Sequence, residues 1–451
     1  MLHDFNSASQ LSAADDDDDE LFALQQQAEL PPEDPAALEY IAACTSLAIP
    51  RCSQWTRACV SEAPNVSLCH YGLGKRGVDA LSRSLTLNMN IQALDLGDNG
   101  LGSEGVTTLL TALRSPGAAP KLRVLSLRQN QAGEDGAEAL RDLIAEDHPL
   151  ASIDFASNGL GGKGATMLAE GLLSNSSLTA LCLEHNEIDE IDKLAEALSG
   201  NSSLTSLSLE WNSLPPASGP ILAGALRDNN SLTALNLGWN GLGDDGISAL
   251  AHAIETKGKD ASTLRDVRLH HNRMTEGSTA ALSRALGGLD LLDVSGNALA
   301  ATGCAVLLGA QQELRRVEEP VVDLNSAGEN AEESTEDAEP QPPPPPPRPP
   351  CCRLIMEDCC VRPDTALAGL LQRAGTGEAL PTEELDACEV HKLAAPALAG
   401  QQPPALRRAA KAKAAEAKKW ESDTTVIREE KKAVVEMNGK PEKKKGKGKK
   451  K

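Results

Sequence analysis

One sequence unit recurs along this chain and restricts it to a small set of folds. The copy that begins at Ser231 reads SLTALNLGWNGLGDDGISALAHAI, with the framework L-x-x-L-x-L-x-x-N-x-L. Its central leucine, Leu235, has eight equivalents at steps of 25 to 32 residues: Val66, Leu94, Leu125, Ile153, Leu181, Leu207, Val267 and Leu292. Self-similarity at this period predicts a solenoid of stacked structural units.

Each part of the unit has a physical role. The L-x-L pair places two leucines on one face of a short strand, because side chains alternate along a strand. Beyond the glycine at Gly246, apolar residues such as Ile247, Leu250 and Ile254 follow helical spacing. The strands are therefore expected to line the inner curve of the solenoid and the helices its outer curve.

An asparagine follows the central position by five residues in eight of the nine copies. These residues are Asn99, Asn130, Asn158, Asn186, Asn212, Asn240, Asn272 and Asn297, and Tyr71 takes the place in the first copy. An amide side chain can bond loop backbone groups that would otherwise be buried without partners. We therefore expect a buried ladder of asparagines along the array.

A unit of about 28 residues with a full helix resembles the ribonuclease-inhibitor type of leucine-rich repeat. The wording LxLxWNxL…G…LAxALxxNxSL is similar to the repeat arrays of NOD-like receptors, and the Ran GTPase-activating protein carries repeats of the same type. The resemblance covers residues 64–326 and implies an α/β solenoid, a horseshoe with a parallel sheet on its concave face and helices outside. It also implies a binding scaffold, and the nucleotide-binding motif G-x-x-x-x-G-K-[ST] of the receptors does not occur here.

Composition places limits on partners and location. The net charge of the chain is −22, but residues 405–451 hold 17 basic and 7 acidic side chains, so the preceding residues carry −32. An acidic body disfavours nucleic acid and favours basic partners. No long apolar run predicts a membrane span, and the first residues lack the pattern of a signal peptide. Eleven cysteines in such a chain indicate reduced thiols in the cytoplasm or the nucleus.

The sequence also predicts how the chain is divided. The expected segments are a disordered acidic N-terminus (1–35), an N-terminal cap (36–63), the repeat array (64–326), an acidic and Pro-rich linker (327–350), a small helical Cys-containing unit (351–404) and a Lys-rich helical or disordered tail (405–451). The sequence VVDLN at Val321 is expected to form the last strand. Insertions that begin at Ser115 and Thr256 lengthen two repeats and are expected to form loops.

Two of the outer segments suggest partners. The P-x-x-P-x-R sequence from Pro343 to Arg348 fits a ligand for an SH3-type domain, and a plain spacer is the alternative. The tail that ends KKKGKGKKK could contact an acidic partner or direct nuclear import, or could be a solvated tail.

The cysteines near residue 351 do not form a convincing metal site. The pairs Cys351–Cys352 and Cys359–Cys360 and the later Cys388-x-x-His391 do not match the spacing of zinc ligands. No metal or cofactor is therefore predicted.

The residue before each asparagine varies and singles out the central repeats. Four successive repeats carry His185, Trp211, Trp239 and His271 there, and Glu184, Glu210 and His270 lie one residue earlier. Stacked strands would align these side chains on the concave face. Exposed aromatics flanked by charge are typical of interface hot spots, but stacked rings could equally stiffen the inner edge.

These observations favour a non-enzymatic scaffold that binds a protein partner on its concave face. The alternative is a GTPase-regulating protein resembling the Ran GTPase-activating protein, in which Arg128 on an early strand would face the GTPase. No pairing of nucleophile and base, or of two carboxylates, indicates an enzyme.

Overall fold

The protein is described by a computed structural model that covers residues 34–318 apart from 62 and 147, residues 352–357, and residues 359 and 373. Within these residues ten short strands form one parallel sheet in sequence order. The strands are β1 (Asn65–Ser67), β2 (Ala93–Asp95), β3 (Val124–Ser126), β4 (Ser152–Asp154), β5 (Ala180–Cys182), β6 (Ser206–Ser208), β7 (Ala234–Asn236), β8 (Asp266–Arg268), β9 (Leu291–Asp293) and β10 (Arg353–Ile355).

Two α-helices precede β1, one α-helix connects each strand from β1 to β8 to the strand that follows it, and one α-helix follows β9. The helices are α1 (Pro35–Ser46), α2 (Ser53–Val60), α3 (Gly74–Leu85), α4 (Gly102–Leu113), α5 (Gly133–Ala145), α6 (Gly161–Leu172), α7 (Asp192–Gly200), α8 (Ser218–Asp228), α9 (Gly243–Ala261), α10 (Thr279–Ala285) and α11 (Ala300–Glu318). From α3 onward each helix packs on the next one, α1 packs on both α2 and α3, and each strand pairs with its neighbours, so helices and sheet form two layers. The predicted α/β solenoid is confirmed.

The strand register follows the sequence repeat. Leu207 pairs with Leu181 on one side and with Leu235 on the other, so the central leucines form one row across the sheet. Their side chains are buried beneath the helices, whereas Ser206 and Asn236 lie beside them on the half-buried, open side. We call the sheet face opposite the helices the open face, and it corresponds to the concave face of the predicted solenoid.

The recurrent glycines allow the helix layer to pack closely. At Gly219 in α8, a Cβ atom would lie 2.2 Å from the Cα atom of Gly246 in α9. No side chain fits at that distance, so this contact requires glycine. The close approach of the two helices explains why the repeat keeps a glycine near the start of α9.

The asparagine ladder is buried as expected. The Asn212 side-chain nitrogen donates to the carbonyls of Leu209 in its own repeat and Leu183 in the preceding repeat, both at 2.9 Å. The Asn212 side-chain oxygen accepts the backbone N–H groups of Asn186 and Ile188, at 3.1 and 3.0 Å. The same nitrogen also donates to the Glu210 carbonyl at 3.3 Å. One side chain thus bonds five backbone groups and joins two successive turns.

The helices that precede the first strand cover the first repeat with aromatic side chains. Trp55 is fully buried, and its indole N–H donates to the Ser84 hydroxyl at 2.9 Å. Ser84 in turn donates to the Ala36 carbonyl at 2.6 Å, and Tyr40 packs edge-on against Trp55. These contacts join α1 and α2 to α3.

The far end of the sheet differs from the prediction. We expected a last strand at Val321, which lies outside the described residues, and a helical unit from Cys351 onward. Residues 353–355 instead form β10, whose Leu354 pairs with Leu292 of β9. Leu354 is fully buried, because it fills the core position of a repeat. The start of the predicted helical unit is therefore wrong, and most of that unit lies outside the described residues.

One of the two expected loops is also wrong. Residues 115–120 form a loop between α4 and β3, but Thr256 lies inside α9, which extends to Ala261 and is interrupted at Gly258 with φ of 72°. The Lys257 ammonium donates to the carbonyls of Leu226 and Asn229 at the end of α8. The insertion therefore extends a helix and caps its neighbour.

Candidate functional site

The turns after the strands share one backbone conformation, which the sequence does not show directly. The residue before the ladder asparagine adopts a left-handed conformation in eight repeats. Their φ angles are 49° for Asp98, 57° for Gln129, 55° for Ser157, 53° for His185, 54° for Trp211, 51° for Trp239, 53° for His271 and 64° for Gly296. Because the position recurs with one backbone shape, its side chains form a row across the turns. The row lies three residues beyond the strands, not on them as predicted.

Four of these side chains form a continuous stack, which we call the aromatic column: His185, Trp211, Trp239 and His271. Successive ring centroids are 4.8, 4.1 and 3.8 Å apart, and the planes differ by 11°, 13° and 7°. At these distances no side chain can enter between the rings. The column therefore offers ring edges along its length and the outer face of His185 at one end.

The two tryptophans are large apolar residues that remain exposed despite the stacking. The exposed fraction is 42% for Trp211 and 38% for Trp239. Neither indole N–H donates a hydrogen bond to the described part of the chain. More than a third of each tryptophan is therefore on the surface.

Small residues define the ends of the column and support a second ring beside it. Before His185 the same position holds Ser157, and after His271 it holds Gly296. A Cβ atom at Gly296 would lie 2.3 Å from the His271 ring, so His271 rests on bare backbone. A Cβ atom at Gly238 would lie 2.2 Å from the ring of His270, which meets His271 edge-on at 5.7 Å.

Beside the column, half-buried polar side chains lie on the open face. Glu184 accepts a 2.9 Å hydrogen bond from the Ser208 hydroxyl, and Glu210 accepts a 2.7 Å bond from the Asn236 amide. The His270 ring nitrogen lies 3.8 Å from the second oxygen of Glu210. Each carboxylate is thus held by the next repeat and has a fixed direction.

Burial affects the ionisation of neighbouring groups on β4 and β5. It raises the pKa of the Asp154 carboxyl, and the nearby Glu184 carboxylate raises it further. Burial also raises the pKa of the Cys182 thiol well above its usual range. Cys182 is therefore a neutral thiol at neutral pH and a poor nucleophile.

All seven residues that the sequence singled out lie in one region, in the turns after β5 to β8. The sequence did not single out Ser208 and Asn236, which orient the carboxylates, or Gly238 and Gly296, which make room for the histidine rings. A small residue at a repeat position next to a large ring is the signal that could have identified the glycines. The binding role assigned to these seven residues remains a prediction.

Other predicted sites stay open. Arg128, which would face a GTPase in the alternative function, is exposed on the open side. The GTPase-regulating alternative remains a prediction. The Pro-rich linker and the Lys-rich tail lie outside the described residues. Their expected SH3-type and acidic partners therefore remain predictions. Among the residues that the structure describes, no group of three His, Cys, Asp or Glu side chains is placed to hold a metal ion. The described helices are all too short or too polar to cross a membrane.

Comparison with known proteins identifies the repeat. A family model described as Leucine Rich repeat matches residues 87–110 and 228–251. The ribonuclease inhibitor of Sus scrofa is 31% identical over 139 residues, which cover 28% of this chain and 30% of the inhibitor. The Homo sapiens NACHT, LRR and PYD domains-containing protein 12 is 37% identical over 94 residues, covering 21% of this chain and 9% of that protein. The matches thus span less than a third of these curated relatives.

Among solved structures, an internalin C2 from Listeria monocytogenes aligns with 58% of this chain and 94% of its own. Its sequence identity is 22% and its TM-score is 0.35.

Leucine-rich repeat proteins generally mediate protein–protein interaction, and the ribonuclease-inhibitor-like families are typically non-enzymatic binding scaffolds. The nine-copy framework, the parallel sheet alternating with helices and the sequence relatives agree with one another. These findings support a leucine-rich repeat protein of the ribonuclease-inhibitor type.

Proposed function

We propose that this protein is a non-enzymatic scaffold that holds a protein partner on its open face, with the aromatic column at the centre of the contact. The observation that carries the proposal is the exposure of Trp211 and Trp239, at 42% and 38%, within a stack of four rings. Buried tryptophans would need no partner, whereas exposed ones lose favourable burial unless a partner covers them.

The column has the properties of a preformed binding surface. Each ring is held between two neighbours, and each turn is fixed by a buried asparagine, so a partner would immobilise few side chains on binding. The entropy cost of association is smaller when the surface is already ordered. Tryptophan is also one of the residue types enriched among interface hot spots.

The carboxylates beside the column would give the contact its specificity. Glu184 and Glu210 each use one oxygen in a hydrogen bond to the next repeat. A carboxylate can accept further hydrogen bonds, and these two would select partner groups that donate them. Truncation of either carboxylate is therefore expected to weaken binding less than removal of the rings.

The test compares two double variants of the full chain. Trp211→Ala with Trp239→Ala removes the indoles, and Leu173→Ala with Met89→Ala removes two apolar side chains that are exposed at 61% and 55% elsewhere. Proteins recovered from cell extract with the wild type are identified by mass spectrometry, and affinity is then measured with each purified partner. We expect the tryptophan variant to lose about 2 kcal/mol or more of binding free energy.

Melting temperatures separate binding from folding. If the column binds a partner, the tryptophan variant keeps most of its stability, because exposed substitutions usually cost about 0.5 kcal/mol or less. Unchanged partner recovery together with a large fall in melting temperature would remove the column from the functional account. The control variant should keep both wild-type properties.

A further inference from the structure

The two ends of the aromatic column differ from each other. At one end the His271 ring rests on the backbone of Gly296, where an added Cβ atom would lie 2.3 Å from the ring. At the other end the row continues with Ser157, which has a short side chain in the place of a ring. The column is therefore closed at His271 and open at His185.

The open end leaves one face of His185 uncovered. Trp211 covers the other face, with ring centroids 4.8 Å apart and planes that differ by 11°. Within the described residues this is the one ring contact of His185, and no described cation stacks on it. His185 is exposed even though Trp211 covers one of its two faces. A planar group of a partner can therefore reach the face that is directed toward Ser157.

The turn at Ser157 leaves room for one such group. Its φ of 55° matches the turns that carry rings, and Gln129 takes the next place in the row with φ of 57°. Successive rings of the column are 4.8, 4.1 and 3.8 Å apart, so each repeat holds one ring. The place above Ser157 is thus one planar group thick.

The turn that carries His185 is strongly acidic. Between β5 and α7 it contains no lysine or arginine and four carboxylates: Glu184, Glu187, Asp189 and Glu190. None of them forms an ion pair within the described part of the chain. Glu187 is exposed and lies two residues from His185, so their Cα atoms are at most about 7 Å apart. The local field therefore favours a positively charged group.

Part of this negative charge lies on the same side as the uncovered face. An added Cβ atom at Gly162 would lie 2.7 Å from a carboxylate oxygen of Asp189. Gly162 belongs to the same repeat as Ser157, so Asp189 reaches toward the repeat that the open face of His185 looks at.

We propose, on the basis of the function proposed above, that the open end of the column binds an arginine side chain of the partner. Its guanidinium stacks on the uncovered face of His185 and pairs with the Glu187 carboxylate. A guanidinium is planar, stacks on aromatic faces and forms directional bonds with carboxylates, whereas a lysine ammonium has no flat face.

The test is a nuclear magnetic resonance titration of the full chain with labelled histidines. A His185→Gln variant assigns the His185 signals, and N-acetyl-argininamide is then added to the wild type. We expect a saturable shift of these signals. N-acetyl-citrullinamide is planar but uncharged, and N-acetyl-lysinamide is charged but not planar. Each should need about fivefold higher concentration for half-saturation, because each lacks one of the two interactions.

Variants of the full chain locate the response. Ser157→Trp should abolish it, because the new indole would cover the open face of His185. Asp98→Trp is the matched control, since it places an indole in a turn with φ of 49° two repeats away, and it should leave the response unchanged. Glu187→Gln should raise the concentration for half-saturation about threefold, as expected for the loss of an exposed ion pair.

The proposal is overturned if the His185 signals do not respond to the arginine derivative, or if the citrulline or lysine derivative binds equally well. Tighter binding of N-acetyl-tryptophanamide would also overturn it and would assign the face to an aromatic side chain. The titration needs no partner, so its failure leaves the recovery test with the tryptophan variant intact. Arginine binding at His185 together with unchanged partner recovery in that variant would instead contradict the proposed function.

Discussion

The turns after β2, β3 and β4 have the same backbone as the turns after β5 to β8, but only the second group carries rings. Asp98, Gln129 and Ser157 have φ angles of 49°, 57° and 55°, and the two tryptophans have 54° and 51°. The buried asparagine that follows sets the shape of the turn in both groups. The preceding residue is therefore free to vary, and this freedom allows a surface to be built without changing the fold.

The largest expected effect comes from replacing the buried asparagine that both groups of turns share. Asn212→Leu should lower the free energy of unfolding by about 3 kcal/mol, because buried backbone groups of two repeats lose their partners. Chemical denaturation measures this change. Asn230→Leu, at an exposed asparagine of a neighbouring turn, is the control and should have little effect. Equal losses in the two variants would contradict the role of the ladder.

A second change tests whether Gly296 provides the space that the His271 ring occupies at the end of the aromatic column. Gly296→Ala should cost about 2 kcal/mol, since the added Cβ displaces the His271 ring and the residue keeps a left-handed backbone. Gly100→Ala has nearly the same φ, 60°, but its Cβ would meet nothing within 4 Å, so it should cost about 1 kcal/mol. The difference between the two variants isolates the contact with the ring. If both cost the same, the ring moves freely.

A third change places a ring in the turn after β4, which belongs to the group without rings. Ser157→Trp should add a fifth ring on the exposed face of His185, since the turn already has the required backbone. The free energy of unfolding should change by about 0.5 kcal/mol or less. A crystal structure or nuclear Overhauser contacts between the new indole and His185 would verify the stack. A new indole that points away from His185 would show that backbone shape alone does not align the rings.

The smallest expected effect depends on pH and lies at the border of the two groups. Burial raises the pKa of Asp154, so the folded protein binds this proton more tightly than the unfolded chain does. Stability is therefore lost as the pH rises from the usual carboxyl pKa through the raised value. Asp154→Asn should be more stable than wild type at neutral pH and no more stable in acid. Thermal melts at several pH values measure this, and a gain that does not vary with pH would contradict it.

The sequence predicted the repeating framework well because each framework residue has one local cause. Leucines at fixed spacing fill the core, and Asn212 or Asn240 must satisfy the same backbone groups in each repeat. Pairing of Leu207 with Leu235 then follows from the period alone. Such features depend on neighbours in the sequence or one repeat away.

Features that depend on a single three-dimensional contact were not predicted. Thr256 continues α9 because Lys257 finds carbonyl partners at the end of α8, and no local pattern encodes this capping. The left-handed turn at Trp211 was also missed, since tryptophan is uncommon in that conformation. The sequence aligned the rings correctly but placed them on the strands, because it does not show where a three-residue strand ends.

The position of β10 has a practical consequence for anyone who produces the array alone. The backbone N–H groups of Val294 and Gly296 donate to carbonyls of Ile355 and Glu357, at 2.9 and 2.8 Å. A fragment that stops at residue 326, where the repeats end in the sequence, would leave these donors as an open strand edge. Open edges recruit strands from other chains, so such a fragment should self-associate and precipitate. A fragment that extends through residue 359 keeps the edge paired and should not self-associate in this way.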